Sequence, residues 1–192
     1  MIRRMAWFAV VAAIAVAVPA AAAQKDEKPE PIRFSAFAVN LNSGPKAGTV
    51  DITLERLSSD EERANLIAAF MEKGQDGLLK ALQKVKPRVG YINLPGRLGW
   101  DLKYAYRFVH SDGTSRVVIV TDRKIEYWEA RNQPRTMDYP FTMIEMRLDK
   151  DGKGEGRMAY STKISRSKDG KTIELENYGI SPVALNEISI RK

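Results

Sequence analysis

The sequence predicts one α+β domain, predominantly antiparallel β, whose sheet curls into a barrel or a two-layer sandwich of about ten strands. Segments in which apolar and polar residues alternate recur along the chain, and glycine-containing turns separate them. A single stretch after the second such segment has helical spacing instead, so one helix or helical hairpin is expected there. The 169 residues that follow a 23-residue leader suffice to bury a hydrophobic core without disulfides.

The leader has the features of a secretory signal peptide. Arg3 and Arg4 supply a positive start, and residues 6–18 form an uninterrupted apolar run. Pro19 ends that run, and the alanines that follow it suit signal peptidase. We therefore predict cleavage after Ala23 and a periplasmic or secreted protein of the bacterial envelope. The alternative is a retained anchor, because the apolar stretch approaches the length that spans a bilayer.

The composition excludes several classes of chemistry. The chain has no cysteine, which excludes disulfides, thiol catalysis and thiolate metal sites. The chain has one histidine, His110, so histidine-rich metal sites are excluded. We expect His110 to be solvated at the end of a strand, and the alternative is that it acts as a lone general base. Beyond the leader, 29 lysines and arginines face 24 acidic residues, and this net charge of +5 is spread along the chain. We therefore expect no nucleic acid, metal or cofactor, and membrane contact only through the signal peptide.

Residues 24–31 are charged and contain prolines, which is typical of a flexible lead-in to a single domain over residues 32–192. Two strands are predicted next, over 32–41 and 49–57, joined by a loop of turn-forming residues at 42–45. In the second strand apolar and polar residues alternate strictly, which indicates that one of its faces is buried.

The helical stretch covers residues 59–85. Ser59 and Glu62 form a capping-box pattern, which marks a helix N-terminus. Apolar residues then recur at helical spacing until two glycines interrupt the pattern, and the same face resumes until Pro87. One broken helix and two short helices both fit this pattern. Either needs a sheet face or an open barrel end on which to bury its apolar stripe.

The rest of the chain is strand and turn. Leu102 and the three aromatic residues at 104, 106 and 108 alternate with other residues, so we expect all four to share one buried face. Residues 117–120 are β-branched throughout, which suits a central strand buried on both sides. Alternation in 183–190 changes phase between Leu185 and Ile188, which predicts a β-bulge.

Three hairpin turns are predicted, at Asp112-Gly113, at 149–154 and at Asp169-Gly170. The second of these is the segment closest to a metal motif. An EF-hand loop starting at its first residue would place Lys153 and Tyr160 where oxygen ligands are needed. A plain hairpin turn is therefore predicted, with weak calcium binding as the alternative.

Two segments combine aromatic residues with arginines, and such side chains offer the large contact area and forked hydrogen bonds of binding hot spots. The first contains Arg97 and Trp100, and the second contains Trp128, Arg131 and Arg135. We hypothesise that these five residues line a ligand or partner surface. The alternative is that the tryptophans cover the ends of the core while the arginines face solvent.

These features predict an exported, non-catalytic envelope protein that binds a small apolar ligand or a protein or envelope partner. A curled sheet covered by a helix can enclose a cavity, with the two aromatic–arginine segments at its mouth. The alternative is an exported hydrolase that uses a pair of carboxylates, with Glu126, Glu129 and Glu145 as candidates. The sequence contains no nucleophile elbow or phosphate-binding glycine loop, so no catalytic residue is assigned.

Overall fold

The structure, a computed structural model, describes residues 30–42, 46–94, 99–123, 125, 138–166, 173–177 and 181–191. Within these residues the predicted fold class is confirmed: a mostly antiparallel, nearly closed barrel-like sheet with one helix after the second strand. In chain order the elements are β1 (Ile32–Asn40), β2 (Lys46–Leu54), α1 (Asp60–Lys84), β3 (Gly90–Asn93), β4 (Trp100–Leu102), β5 (Tyr104–Val109), β6 (Ser115–Thr121), β7 (Phe141–Leu148), β8 (Gly154–Arg166), β9 (Ile173–Asn177) and β10 (Val183–Arg191).

The sheet nearly closes on itself because β4 and β5 are two halves of one extended segment. Neighbouring strands follow the order β4-β3-β2-β1-β10-β8-β7-β6-β5, with β9 attached to β8 beside this path. Only Lys103 separates β4, which pairs with β3, from β5, which pairs with β6. The Lys103 amide donates to the Val120 carbonyl at 3.2 Å, and Ser58 bonds both backbone polar groups of Ala105 in β5. The single segment therefore joins the two ends of the strand order.

Side chains fill the interior of this barrel. When β4 and β5 are counted as one, eight strands surround the axis, and a barrel of that size is just wide enough inside for side chains. Apart from Ile125, the largest fully buried residues of this core come from seven of the strands: Ile52, Leu54, Ile92, Leu102, Ile119, Ile144, Met146, Met158 and Leu185. This core occupies the space where the sequence suggests an enclosed cavity, and the apolar groove described below lies outside the barrel.

The prediction that Leu102 shares one buried face with the three aromatic residues after it is wrong. Leu102 and Ala105 are fully buried in the barrel interior, whereas Tyr104 and Phe108 pack outside the sheet, against α1. The alternation changes phase at Lys103 because pairing passes there from β3 to β6.

β6 confirms the prediction of a strand buried on both sides. Val117 and Ile119 belong to the barrel core, whereas Val118 and Val120 belong to a second apolar cluster beneath α1. The sequence predicts that the helix packs on a sheet face or on an open barrel end, and the structure shows that it packs on the outer face of the sheet.

α1 begins as predicted and folds back on itself at Gly74. Ser59 is the N-cap, and both hydrogen bonds of the capping box with Glu62 are present. Gly74 has φ 60° and ψ −146°, which breaks the helix into two arms. A straight helix of 25 residues would hold its ends about 37 Å apart. Instead Arg56 donates to the Glu62 carboxylate at 2.7 and 2.9 Å and to the Pro87 carbonyl at 2.8 Å, so the two ends lie side by side.

The resulting helical hairpin is held together between its arms and at its tip. The arms meet at Gly77, where a Cβ would overlap the carbonyl oxygen of Ala69 in the first arm. At the tip, Gln75 donates from Nε2 to the Asp138 carbonyl at 3.0 Å and accepts at Oε1 from the Ile164 amide at 3.1 Å. Among the described residues, no helix has the length and apolar character needed to cross a bilayer.

The predicted β-bulge and two of the predicted hairpin turns are also confirmed. The pairing of β10 with β8 shifts register between Leu185 and Ile188. Gly113 and Gly152 have φ of 84° and 76° and lie in the turns that join β5 to β6 and β7 to β8. The third predicted turn, Asp169-Gly170, lies outside the described residues.

The Arg56–Glu62 ion pair predicts a pH-dependent contribution to stability. Hydrogen bonds from Arg56 are the main reason that the pKa of Glu62 is lowered from its ordinary value. A carboxyl with a lowered pKa in the folded state contributes stability above its unfolded pKa, about 4.3, and loses it as the pH falls through the folded pKa. We expect Glu62→Gln to lower the melting temperature near neutral pH, and the difference from wild type to vanish in acid.

Thermal unfolding followed by circular dichroism at about pH 7 and about pH 3 checks this expectation. Glu61→Gln is the matched control, because Glu61 is also acidic and in the first turn of α1 but is exposed. An equal loss in both variants, or a difference that persists at low pH, would contradict the role of the ion pair.

Candidate functional site

An apolar groove lies between the two arms of α1 and the outer face of the sheet, and we call it the hairpin groove. Its volume is about 180 Å³. Both arms and β6 contribute its principal walls: Leu66, Phe70, Leu78, Leu82, Val118 and Val120. The groove is preformed in the sense that its roof is bonded to the sheet at the tip and to the chain around Arg56 at the base.

The sequence builds this groove through helical spacing. In the first arm, Arg63, Leu66, Ile67 and Phe70 follow one another at intervals that place them on one face of a helix. The stripe that buries Leu66 and Phe70 against the sheet therefore also brings Arg63 to the groove. Its rim is apolar as well, since Ile67 and Leu175 line the groove and remain 44% and 51% exposed.

Arg63 is the one charged side chain among the described residues that line the groove. Its guanidinium carbon lies 5.3 Å from the ring centroid of Tyr106 and 5.9 Å from that of Phe108, within the range of cation–π attraction. The Tyr106 hydroxyl donates to Asp60 at 2.8 Å, which fixes that ring. The rings of Tyr106 and Phe108 therefore hold the Arg63 guanidinium at the end of the groove that is nearest the N-terminus of α1.

Tyr104 supplies a second polar group to the groove. It is half-buried, and burial raises the pKa of its phenol, while a hydrogen bond and the charge of Arg63 act in the opposite direction. Because the net shift is upward, Tyr104 is a neutral hydroxyl at physiological pH. The groove thus combines apolar walls with one cation and one neutral hydrogen-bond donor.

Of the five predicted binding residues, the structure describes Trp100. Trp100 lies in β4, is half-buried and packs against the barrel core. Arg97, Trp128, Arg131 and Arg135 lie outside the described residues. β3 and β6, after which these segments come, run in the same direction and finish at the same end of the barrel. The hairpin groove lies on the side of the barrel, and Trp100 is not among the described residues that line it.

Of the three glutamates in the hydrolase alternative, the structure describes Glu145. It lies in β7 on the outer face of the barrel, where Arg116 and Arg147 pair with its carboxylate at 2.9 and 3.4 Å. A surface groove there is lined by Glu145 and Glu155 together with Arg147 and Arg157. The two carboxylates therefore share their surroundings with guanidinium groups. Glu126 and Glu129 lie outside the described residues.

The remaining candidate residues lie in turns. His110 is exposed at the end of β5, which confirms its predicted placement, and its amide donates to the Thr114 carbonyl. Asp149 confirms the predicted hairpin turn, since its Oδ1 accepts from the amides of Asp151 and Lys153, both at 2.9 Å. Within the part of the chain that the structure describes, no three acidic or histidine side chains are grouped to hold a metal ion.

The sequence patterns assign Tyr104 to core packing and give no role to Arg63, although one signal for Arg63 exists. Arg63 is a charged residue on the apolar face of a helix. Charged residues are rare on such faces unless the apolar face ends there or the charge has a binding partner. The hairpin groove is therefore the candidate site that geometry supports. Comparisons of the chain with protein-family models, with curated proteins and with solved structures find no match.

Proposed function

We propose that the protein is an exported, non-catalytic binding module that holds a small apolar ligand in the hairpin groove. The observation that carries this proposal is an apolar groove of about 180 Å³ whose roof is hydrogen-bonded at both of its ends. Preformed apolar concavities with a few polar groups are the usual form of small-molecule sites. An apolar cavity of about 150 Å³ accommodates benzene in another protein, so this groove suits a single ring or a short aliphatic chain.

Export is part of the proposal because of the leader. Its arginines, apolar run and following alanines are the pattern that signal peptidase processes. Binding a small apolar compound requires none of the thiol, metal or cofactor chemistry that the composition disfavours.

Binding of 1-octanol tests the proposal with a neutral aliphatic ligand of suitable size. In an NMR titration of methyl-labelled protein, we expect saturable shifts of the methyl signals of Leu66, Val118 and Val120, which form the groove walls. Ile67→Trp is expected to remove most of this response, because an indole at the rim would occupy the groove.

Leu41→Trp is the matched control, since Leu41 is 71% exposed and does not line the groove. It should bind 1-octanol as the wild type does. Equal binding by the two tryptophan variants, or shifts confined to methyl groups outside the groove, would show that the ligand does not bind there.

A further inference from the structure

Arg63 differs from neighbouring arginines in having no acidic partner among the described residues. Arg56 and Arg88 form ion pairs with glutamates at 2.7 and 2.9 Å. Arg63 instead lies over two aromatic rings, and Asp60, one turn before it, accepts the hydroxyl of Tyr106. A guanidinium held in place at an apolar groove, with no carboxylate bound to it, is complementary to an anion.

We infer that the ligand of the hairpin groove is a single-chain aliphatic carboxylate, whose chain lies on the apolar walls and whose carboxylate binds Arg63. This inference rests on the groove being the ligand site. A carboxylate matches the planar fork of a guanidinium with two parallel hydrogen bonds. The rings beneath Arg63 keep the fork oriented, which reduces the rotamer freedom that binding would otherwise remove.

Two further features favour this class of ligand. Tyr104 lines the groove beside Arg63, and its neutral hydroxyl can donate a hydrogen bond to the same anion. The groove volume of about 180 Å³ fits one short chain and not the two long chains of a phospholipid. The source is therefore a free carboxylate and not a lipid in a membrane.

Isothermal titration of the mature protein with octanoate and with 1-octanol tests the inference, because the two ligands share a chain and differ in charge. Wild type is expected to bind octanoate about tenfold more tightly than 1-octanol, as expected for a charge-assisted hydrogen bond. Arg63→Gln should lose this preference and bind the two ligands with similar affinity. Arg147→Gln removes the same charge from the outer face of β7, outside the groove, and should keep the preference for octanoate.

The outcomes separate the two proposals. If neither ligand binds wild type, the groove is not a ligand site and the proposed function fails. If 1-octanol binds as tightly as octanoate, or if Arg63→Gln keeps the preference, only the carboxylate inference fails. Circular dichroism of both variants verifies that they are folded, so a loss confined to octanoate is assigned to Arg63 itself.

Two further experiments vary the chain length of the ligand and measure binding of the protein to membranes. From butanoate to octanoate, affinity should rise about fourfold for each methylene that enters the groove. A flat series would contradict burial of the chain. Sedimentation with phosphatidylglycerol vesicles should leave the protein in solution, and Arg63-dependent sedimentation would overturn the free carboxylate in favour of a membrane surface.

Discussion

Phe141→Ala is expected to lower the free energy of unfolding by about 3–5 kcal/mol, the usual cost of deleting a buried phenylalanine ring. Phe141 begins β7 and is 0% exposed in the cluster that joins the helical hairpin to the sheet, which also contains Phe70 and Ile164. The cost combines the apolar area returned to water with the cavity left beneath α1. Urea denaturation followed by circular dichroism measures it.

Phe37→Ala is the matched control, because it deletes the same ring from a residue of β1 that is 43% exposed. We expect this variant to lose less than about 1 kcal/mol. Similar losses in the two variants would mean that the ring of Phe141 is not packed between the hairpin and the sheet.

Gly77→Ala is expected to destabilise the protein by about 1–3 kcal/mol through overpacking. In an isolated helix the same change would stabilise by about 1 kcal/mol, since alanine is the better helix former. The sign reverses here because the new Cβ would overlap the Ala69 carbonyl oxygen and the Cβ of Lys73, which forces the two arms apart. The separation should also weaken 1-octanol binding, because the arms form the roof of the hairpin groove.

Asp76→Ala provides the control for helix propensity, since Asp76 is the exposed residue beside Gly77 in the same arm. Its stability should be equal to or slightly above that of wild type. Urea denaturation of the two variants, together with their 1-octanol titrations, makes the comparison. A stabilised Gly77→Ala variant would contradict the close approach of the arms.

Local patterns in the sequence predict much of the fold because their physical causes are local. The capping box at Ser59 depends on two residues three positions apart, and the bulge between Leu185 and Ile188 is visible as a change of phase within one strand. The burial of β6 on both sides likewise follows from four consecutive β-branched residues. None of these features needs information about distant partners.

Local patterns could not predict on which face of the sheet the aromatic residues of β5 lie. Residues 102–108 alternate regularly in sequence, yet the chain changes neighbours at Lys103 because the barrel must close there. Closure of the barrel depends on all the strands together, so the pattern of residues 102–108 alone does not predict the change of face at Lys103. Leu102 consequently lies inside the barrel and Tyr104 outside it.

The candidate site was less predictable than the fold. The hairpin groove exists because the second arm returns beside the first and both meet β6, and only the tertiary structure shows this arrangement. The aromatic–arginine segments are a composition signal, whereas the candidate residues Arg63 and Tyr104 lie in regular elements whose patterns indicate core packing. The helical spacing of Arg63 with Leu66 and Phe70 is a signal in the sequence from which this part of the groove could be predicted.

The position of β1 between β2 and β10 bears on how the chain acquires its fold. Synthesis begins at the N-terminus, so β1 and β2 can form a hairpin early, but the other edge of β1 has no partner until β10 is made. Contacts of such long sequence separation form slowly. An incomplete chain that ends before Val183 would leave both β1 and β8 as open edges, which are templates for pairing with other chains. Completion of β10 therefore covers the two strand edges at which an incomplete chain would pair with other chains.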